Sequence, residues 1–111
     1  MIDWERVNEL RGEVGSDDFL EVVDLFLEEV EEVVERLRAS PDVSKLESEL
    51  HFLKGSALNL GFRALGDLCG QGEKLARENQ IEKFDLAALL RTFDQSMAEF
   101  MAGSAQRNFA A

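Results

Sequence analysis

The sequence predicts an all-α fold, an antiparallel four-helix bundle with a short extra helix at the N-terminus. Proline and glycine are scarce, with one proline and eight glycines in 111 residues, so that long segments run without a break. Within these segments apolar residues recur at spacings of three and four, which is the period of a helix packed on one side and not of a strand. A chain of this length fits a single domain, and we assign residues 1–111 to it.

The N-terminal part of the chain carries two predicted helices. Asp3 caps a short first helix that ends near Gly12, and Ser16 caps a long second helix with acids in its first turn. The apolar face of the second helix is formed by Phe19, Val23, Phe26, Val30, Val33 and Leu37. Acids dominate the positions between them, so we expect one buried face and one strongly negative face.

The third predicted helix follows the single proline of the chain. Asp42 or Ser44 caps it, and it runs to about Leu60, where Gly61 is placed as a C-terminal stop. At roughly 100° per residue, a buried seam is predicted along one side of this helix. The seam consists of Leu46, Leu50, Leu53, Ala57 and Leu60. His51 lies about 140° away from the seam and is therefore expected to face solvent.

The last two predicted helices complete the bundle. A fourth spans Arg63 to about Asn79, and a fifth runs from near Asp85 to Met101. The tail from Gly103 is expected to fray, and Trp4 is expected to lie over one end of the bundle. Because the connections are short, the helices are most simply packed antiparallel, each against two neighbours.

Charge and composition exclude several classes of function. The net charge of -11 disfavours binding to nucleic acid or to an anionic membrane surface, which leaves a protein partner. No apolar run approaches the roughly 18 residues of a membrane span, and the N-terminus has no signal-peptide pattern, so we expect a cytoplasmic protein. Cys69 and His51 are single residues of their type, which argues against a zinc site or an internal disulfide.

Three neighbours distinguish His51 from an incidental surface histidine. Gly55 lies one turn further on the same face, and glycine inside a helix costs about 1 kcal/mol relative to alanine, so its use is the missing side chain. The space beside it would admit another molecule to the imidazole. Lys54 could neutralise negative charge arriving on the ring, and Leu58 adds an apolar contact. Taken singly, a solvated lysine and a bundle-edge leucine are equally good interpretations, but together these residues predict a docking site around a nucleophile.

The segment from His51 to Gly61, HFLKGSALNLG, resembles the signature of histidine-containing phosphotransfer domains, H-x-L-K-G-S/A-S/A-x-x-L-G. Leu68-Cys69 followed by Glu73 also resembles this family, so that the resemblance covers about residues 16–103, the core of the predicted domain. It implies a four-helix bundle that exchanges a phosphoryl group between this histidine and the phosphorylated aspartate of a receiver domain.

The resemblance also implies roles for individual residues. His51 would be phosphorylated on the ring nitrogen farther from the backbone, Lys54 would steady the phosphoryl group, and Gly55 would give the receiver clearance. Partner binding or support of the histidine is assigned to Ser48, Leu58 and Glu73. Glu73 falls where relatives place a polar group that hydrogen-bonds the imidazole, although a solvated carboxylate is an equally good interpretation of the sequence.

The expected function is that of a monomeric phosphorelay intermediate. Its partners would be response-regulator receiver domains, a hybrid histidine kinase, or both. The chain would need no metal or other cofactor of its own, because the receiver supplies the Mg²⁺. The sequence has no glycine-rich nucleotide loop of either common type, so no ATP-dependent kinase activity is expected.

Two alternatives remain open on the sequence alone. The chain could be a non-catalytic helical module that sequesters a receiver or a kinase, or the phospho-accepting fragment of a larger histidine kinase. Its start at Met1 and its frayed end favour a free-standing protein. The partners, the direction of phosphate flow and the output of the pathway are not encoded in any motif that we identify.

Overall fold

The computed structural model describes residues 1–107, which contain five α-helices. The helices are α1 (Trp4–Val14), α2 (Phe19–Ala39), α3 (Val43–Leu60), α4 (Arg63–Arg77) and α5 (Leu86–Gln106). A 3₁₀ turn at Ile81–Lys83 lies between α4 and α5. Over residues 1–107 there is no strand, and Ile2 and Phe62 form an isolated antiparallel bridge. The predicted all-α fold is confirmed.

Three of the helices begin at an aspartate that was recognisable in the sequence. The side chains of Asp3, Asp42 and Asp85 each accept a hydrogen bond from a backbone N–H two or three residues further on, at 3.0 to 3.2 Å. Each satisfies one of the amide groups that a helix leaves unpaired in its first turn. Gly61 ends α3 in the left-handed conformation, with φ of 83°, as predicted.

The prediction was wrong about the junction between α1 and α2. Gly12 lies inside α1, which continues to Val14, and Gly15 ends it with φ of 88°. Residues 16–18 form a turn, so Asp18 and not Ser16 occupies the N-cap position of α2. A helix tolerates a glycine in its interior, whereas a position with positive φ strongly favours glycine. Helix α1 therefore continues through Gly12 and ends at Gly15.

The C-terminal part of α5 does not fray where the sequence predicted it. The helix continues through Gly103 to Gln106, because Gly103 is buried against the ring of Trp4. That ring stacks on Phe100 with 5.8 Å between the centroids, and the guanidinium of Arg107 lies 3.8 Å from its centroid. Trp4 therefore joins α1 to α5 at this end of the bundle; residues 108–111 lie outside the described part of the chain.

Helices α3 and α4 pack closely because glycines on α4 leave room for side chains of α3. A Cβ atom on Gly66 would lie 2.5 Å from Leu58 Cδ2, and one on Gly72 would lie 2.8 Å from Leu50 Cδ1. Since the order of the contacts is reversed along the two helices, the pair is antiparallel. This close packing brings the exposed edge of α3, with its histidine, against α4.

The bundle encloses a core of large apolar side chains. Its most completely buried members are Val7, Phe19, Val30, Val34, Leu37, Leu50, Leu53, Leu60, Phe62, Leu65, Cys69 and Leu89. The predicted seam of α3 belongs to this core. Within residues 1–107, no helix combines the length and the apolar character that crossing a membrane requires.

Candidate functional site

His51 projects from the middle of α3 into solvent. Its side chain is 69% exposed, while Leu50 and Leu53 on either side of it are fully buried. The helical period predicted this orientation, since the two leucines lie on the seam and the histidine does not. The imidazole is therefore accessible to another molecule although the helix that carries it is firmly packed.

A buried carboxylate of α4 holds the imidazole from one side. The Nδ1 atom of His51 lies 2.8 Å from Oε2 of Glu73, whose side chain is 6% exposed. The other oxygen, Oε1, lies 2.6 Å from the ammonium of Lys54, and an Nη atom of Arg77 lies 2.9 Å from Oε2. We call these four residues the Glu73 cluster. Of the two interpretations of Glu73 in the sequence, the structure shows the one in which the carboxylate hydrogen-bonds the imidazole.

The Glu73 cluster fixes the tautomer of the histidine. The hydrogen bond from Lys54 lowers the pKa of the Glu73 carboxyl; burial opposes this, and the hydrogen bond to His51 lowers the pKa further. An ionised carboxylate only accepts hydrogen bonds, so Nδ1 carries the proton and donates it to Oε2. The lone pair of the neutral ring then lies on Nε2, on the side of the imidazole away from Glu73.

The lowered pKa of Glu73 predicts how acid affects stability. Because the folded-state pKa lies below the unfolded value of about 4.3, the ionised carboxylate stabilises the folded state. This contribution is complete above the unfolded pKa and is lost as the pH falls through the folded pKa. We expect the free energy of unfolding of wild type to fall toward that of Glu73→Gln from about pH 5 downward, as denaturant titrations would measure.

An exposed acid provides the control for this comparison. Glu31 of α2 makes no ion pair with any residue among 1–107, and Glu31→Gln should follow the wild-type pH dependence. Parallel curves for wild type and Glu73→Gln would contradict the proposed contribution of the carboxylate.

Lys54 is placed differently from what the sequence led us to expect. Its side chain lies along α4 over Gly70 and is 34% exposed, and its ammonium binds Glu73. The cation is therefore beside the histidine, as predicted, but it is already engaged by a carboxylate. An anionic group on Nε2 would compete with that carboxylate for the ammonium.

The remaining predicted residues surround the ring. Gly55 is exposed, and a Cβ atom built on it would meet no atom within 4 Å, so no packing inside the chain requires glycine there. Leu58 is 45% exposed and rests on Gly66. Ser48, one turn before the histidine, lines the same shallow depression as His51 and donates its hydroxyl to the carbonyl of Lys45 at 3.0 Å.

Arg77 is part of the site but was not predicted from the sequence. Besides its contact with Glu73, its Nε atom lies 3.4 Å from Oε1 of Glu47 on α3. The signal was present, because residues four apart on a helix are neighbours and Glu73 precedes Arg77 by four. What the sequence did not show is that Glu73 is buried and that Arg77 shares it with the histidine.

A comparison with models of protein families identifies the family of the chain. The model of the Hpt domain matches residues 21–102, well over half of the chain. The chain belongs to the Hpt domain family. No curated protein and no solved structure matches it. The matched range runs from the first turns of α2 to the last turns of α5 and contains the whole Glu73 cluster.

Membership of the family establishes the general role of the chain. This Hpt domain is a histidine phosphotransfer module of two-component signalling, and Hpt domains interact with response regulators and kinases in phosphorelays. Members of the family are phosphocarriers rather than kinases. Within residues 1–107, no group of three or more histidine, cysteine, aspartate or glutamate side chains is arranged to hold a metal ion.

Proposed function

We propose that this Hpt domain is a phosphorelay intermediate that carries a phosphoryl group on Nε2 of His51 and exchanges it with the aspartate of a receiver domain. The hydrogen bond from Nδ1 to the buried carboxylate of Glu73 carries this proposal, because it leaves the Nε2 lone pair on the exposed side of the ring. In this scheme the protein acts as a cytoplasmic monomer.

The transfer step needs little chemistry from the carrier. The Nε2 lone pair attacks phosphorus, the P–O bond of the aspartyl phosphate breaks, and its electron pair leaves on the carboxylate oxygen. The Nδ1 proton stays on the ring, which becomes a phosphorylated imidazolium facing the negative charge of Glu73. Because the migrating group resembles metaphosphate, catalysis depends mainly on position and charge, and no second base in the chain is required.

Lys54 and Gly55 meet the two requirements of this step, stabilisation of charge and positioning of the partner. Lys54 is the nearest ammonium on α3, and it would stabilise the phosphoryl oxygens after leaving Glu73. The open space at Gly55 would let the receiver bring its aspartate to Nε2. The receiver would contribute its acidic pocket and Mg²⁺, so that the chain needs no cofactor of its own.

The groove between α2 and α3 is the surface that we assign to receiver docking. It is lined by Glu29, Glu32, Val33, Arg36, Ser48, Glu49 and Phe52. Phe52 follows the histidine directly and is 36% exposed, and Leu58 continues the apolar surface on the other side of Gly55. The groove thus combines apolar and charged side chains, as transient protein interfaces do.

Phosphoryl transfer from a labelled receiver tests the proposal. A panel of receiver domains is phosphorylated with radiolabelled acetyl phosphate, freed of the donor and mixed with wild type or His51→Gln. We expect label on wild type only, with at least one receiver, in a bond that is labile to acid and stable to alkali. Label on His51→Gln, or a bond stable to acid, would assign the phosphoryl group to another residue.

A further inference from the structure

Arg77 occupies a position from which it can act on the phosphoryl group indirectly. It is the last residue of α4, its side chain is 61% exposed, and its guanidinium contacts Glu47 of α3 and Glu73 of α4. It therefore bridges the two helices that carry the site. Its contact with Oε2 of Glu73 is on the same oxygen that accepts the hydrogen bond from His51.

The position of Lys54 creates a requirement that Arg77 can meet. In the unphosphorylated protein the Lys54 ammonium sits 2.6 Å from Oε1 of Glu73. Phosphoryl oxygens on Nε2 would compete with Glu73 for this ammonium. Glu73 is 6% exposed, and a buried carboxylate that loses a cation without replacement is strongly destabilised. Release of Lys54 therefore costs less if another positive group remains on Glu73.

We propose that Arg77 is a positioning residue for phosphoryl transfer, which keeps Glu73 compensated while Lys54 moves from that carboxylate to the phosphoryl group on His51. This inference rests on the proposed function. Arginine suits the role because its guanidinium stays protonated throughout and offers several N–H donors to one carboxylate. The contact with Glu47 keeps it between the helices when Lys54 leaves.

The direction of the effect follows from the contacts. Without Arg77, Lys54 and the histidine are the remaining donors on Glu73 among the described side chains, so the carboxylate holds Lys54 more strongly. The phosphoryl group then gains less from Lys54, and this disfavours phosphorylation of His51.

The experiment uses phosphoramidate as the phosphodonor, because this probe needs no receiver. The Nε2–P bond forms as the P–N bond of the donor breaks and ammonia leaves. The rate of phosphorylation of His51 is followed by intact mass. We expect Arg77→Gln to lower this rate about threefold to tenfold, the range that a partly buried charge contact gives. The matched control is Lys74→Gln, which removes the same charge from an exposed residue of α4 that pairs with no described acid.

A double variant separates positioning from a merely structural role. In a Lys54→Gln background, Arg77→Gln should change the rate by less than about twofold, because its action passes through Lys54. If Arg77→Gln folds poorly, Arg77→Met, which keeps the apolar stem, gives the same comparison.

Three results would overturn the inference. The first is a phosphorylation rate of Arg77→Gln equal to that of wild type. The second is a loss of rate in Lys74→Gln equal to that in Arg77→Gln. The third is that Arg77→Gln causes its full loss of rate in the Lys54→Gln background as well. Failure of every receiver to label a wild type that reacts with phosphoramidate would instead contradict the proposed function and leave the role of Arg77 intact.

Discussion

Replacing Gly55 by leucine should lower phosphoryl transfer from a receiver by about 100-fold while leaving the domain folded, since a displacement of about 1 Å at the reacting atoms has an effect of this size. The leucine side chain would stand one turn from His51, where a Cβ atom meets nothing within 4 Å in the free protein. It would therefore obstruct the partner and not the bundle. Initial rates of label transfer from a phosphorylated receiver measure the effect.

Two comparisons show whether the loss at Gly55 is steric and confined to the partner. Phosphoramidate is small enough to pass the leucine, so its reaction with His51 should stay within about threefold of wild type. The control substitution is Gly12→Leu, at a glycine of α1 that also has open space around it, and it should leave transfer unchanged. Both variants should unfold at slightly higher denaturant than wild type, because leucine favours helix over glycine by roughly 1 kcal/mol. Equal losses with both phosphodonors would contradict the steric explanation.

The orientation of the site was predictable because it depends on one helix. Within α3, the spacing of the buried leucines determines where His51 and Gly55 point, and no distant part of the chain can change that relation without unwinding the helix. The capping aspartates are local in the same sense. Asp3 and Asp42 act within three residues of themselves, so that the residue type and the following pattern were sufficient.

The charges around the histidine were not predictable, because they depend on the distance between two helices. That distance is set by glycines on α4, since a Cβ atom on Gly66 or Gly72 would lie 2.5 Å or 2.8 Å from a leucine of α3. At this distance the ammonium of Lys54 lies on Glu73. A sequence shows that Lys54 is near His51 but not which carboxylate it binds. The prediction that the tail frays from Gly103 was wrong for the same reason. Gly103 is buried against Trp4, which is a contact between opposite ends of the chain.

Replacing Gly61 by alanine should lower the free energy of unfolding by about 3 kcal/mol, the largest loss of stability that we expect from so small a change. Gly61 has φ of 83°, and a Cβ atom would lie 2.6 Å from the carbonyl oxygen of Asp3 and 2.9 Å from Val7 Cγ2. The Asp3 segment cannot easily move away, because its amide donates a hydrogen bond to the Gly61 carbonyl at 2.6 Å. Guanidinium titrations monitored by the single tryptophan measure the loss.

Gly15 provides the control that isolates the close approach from backbone strain. It has φ of 88° and ψ of 146°, another positive-φ conformation that favours glycine, but open space around its Cα, so Gly15→Ala should lose about 1 to 2 kcal/mol from backbone strain alone. Equal losses at the two positions would show that the contact with Asp3 contributes nothing. Because Gly61 ends α3 almost three turns beyond His51, the Gly61→Ala variant should still react with phosphoramidate at close to the wild-type rate wherever it remains folded. A parallel loss of reactivity would mean that α1, through Asp3, also controls the geometry of the Glu73 cluster.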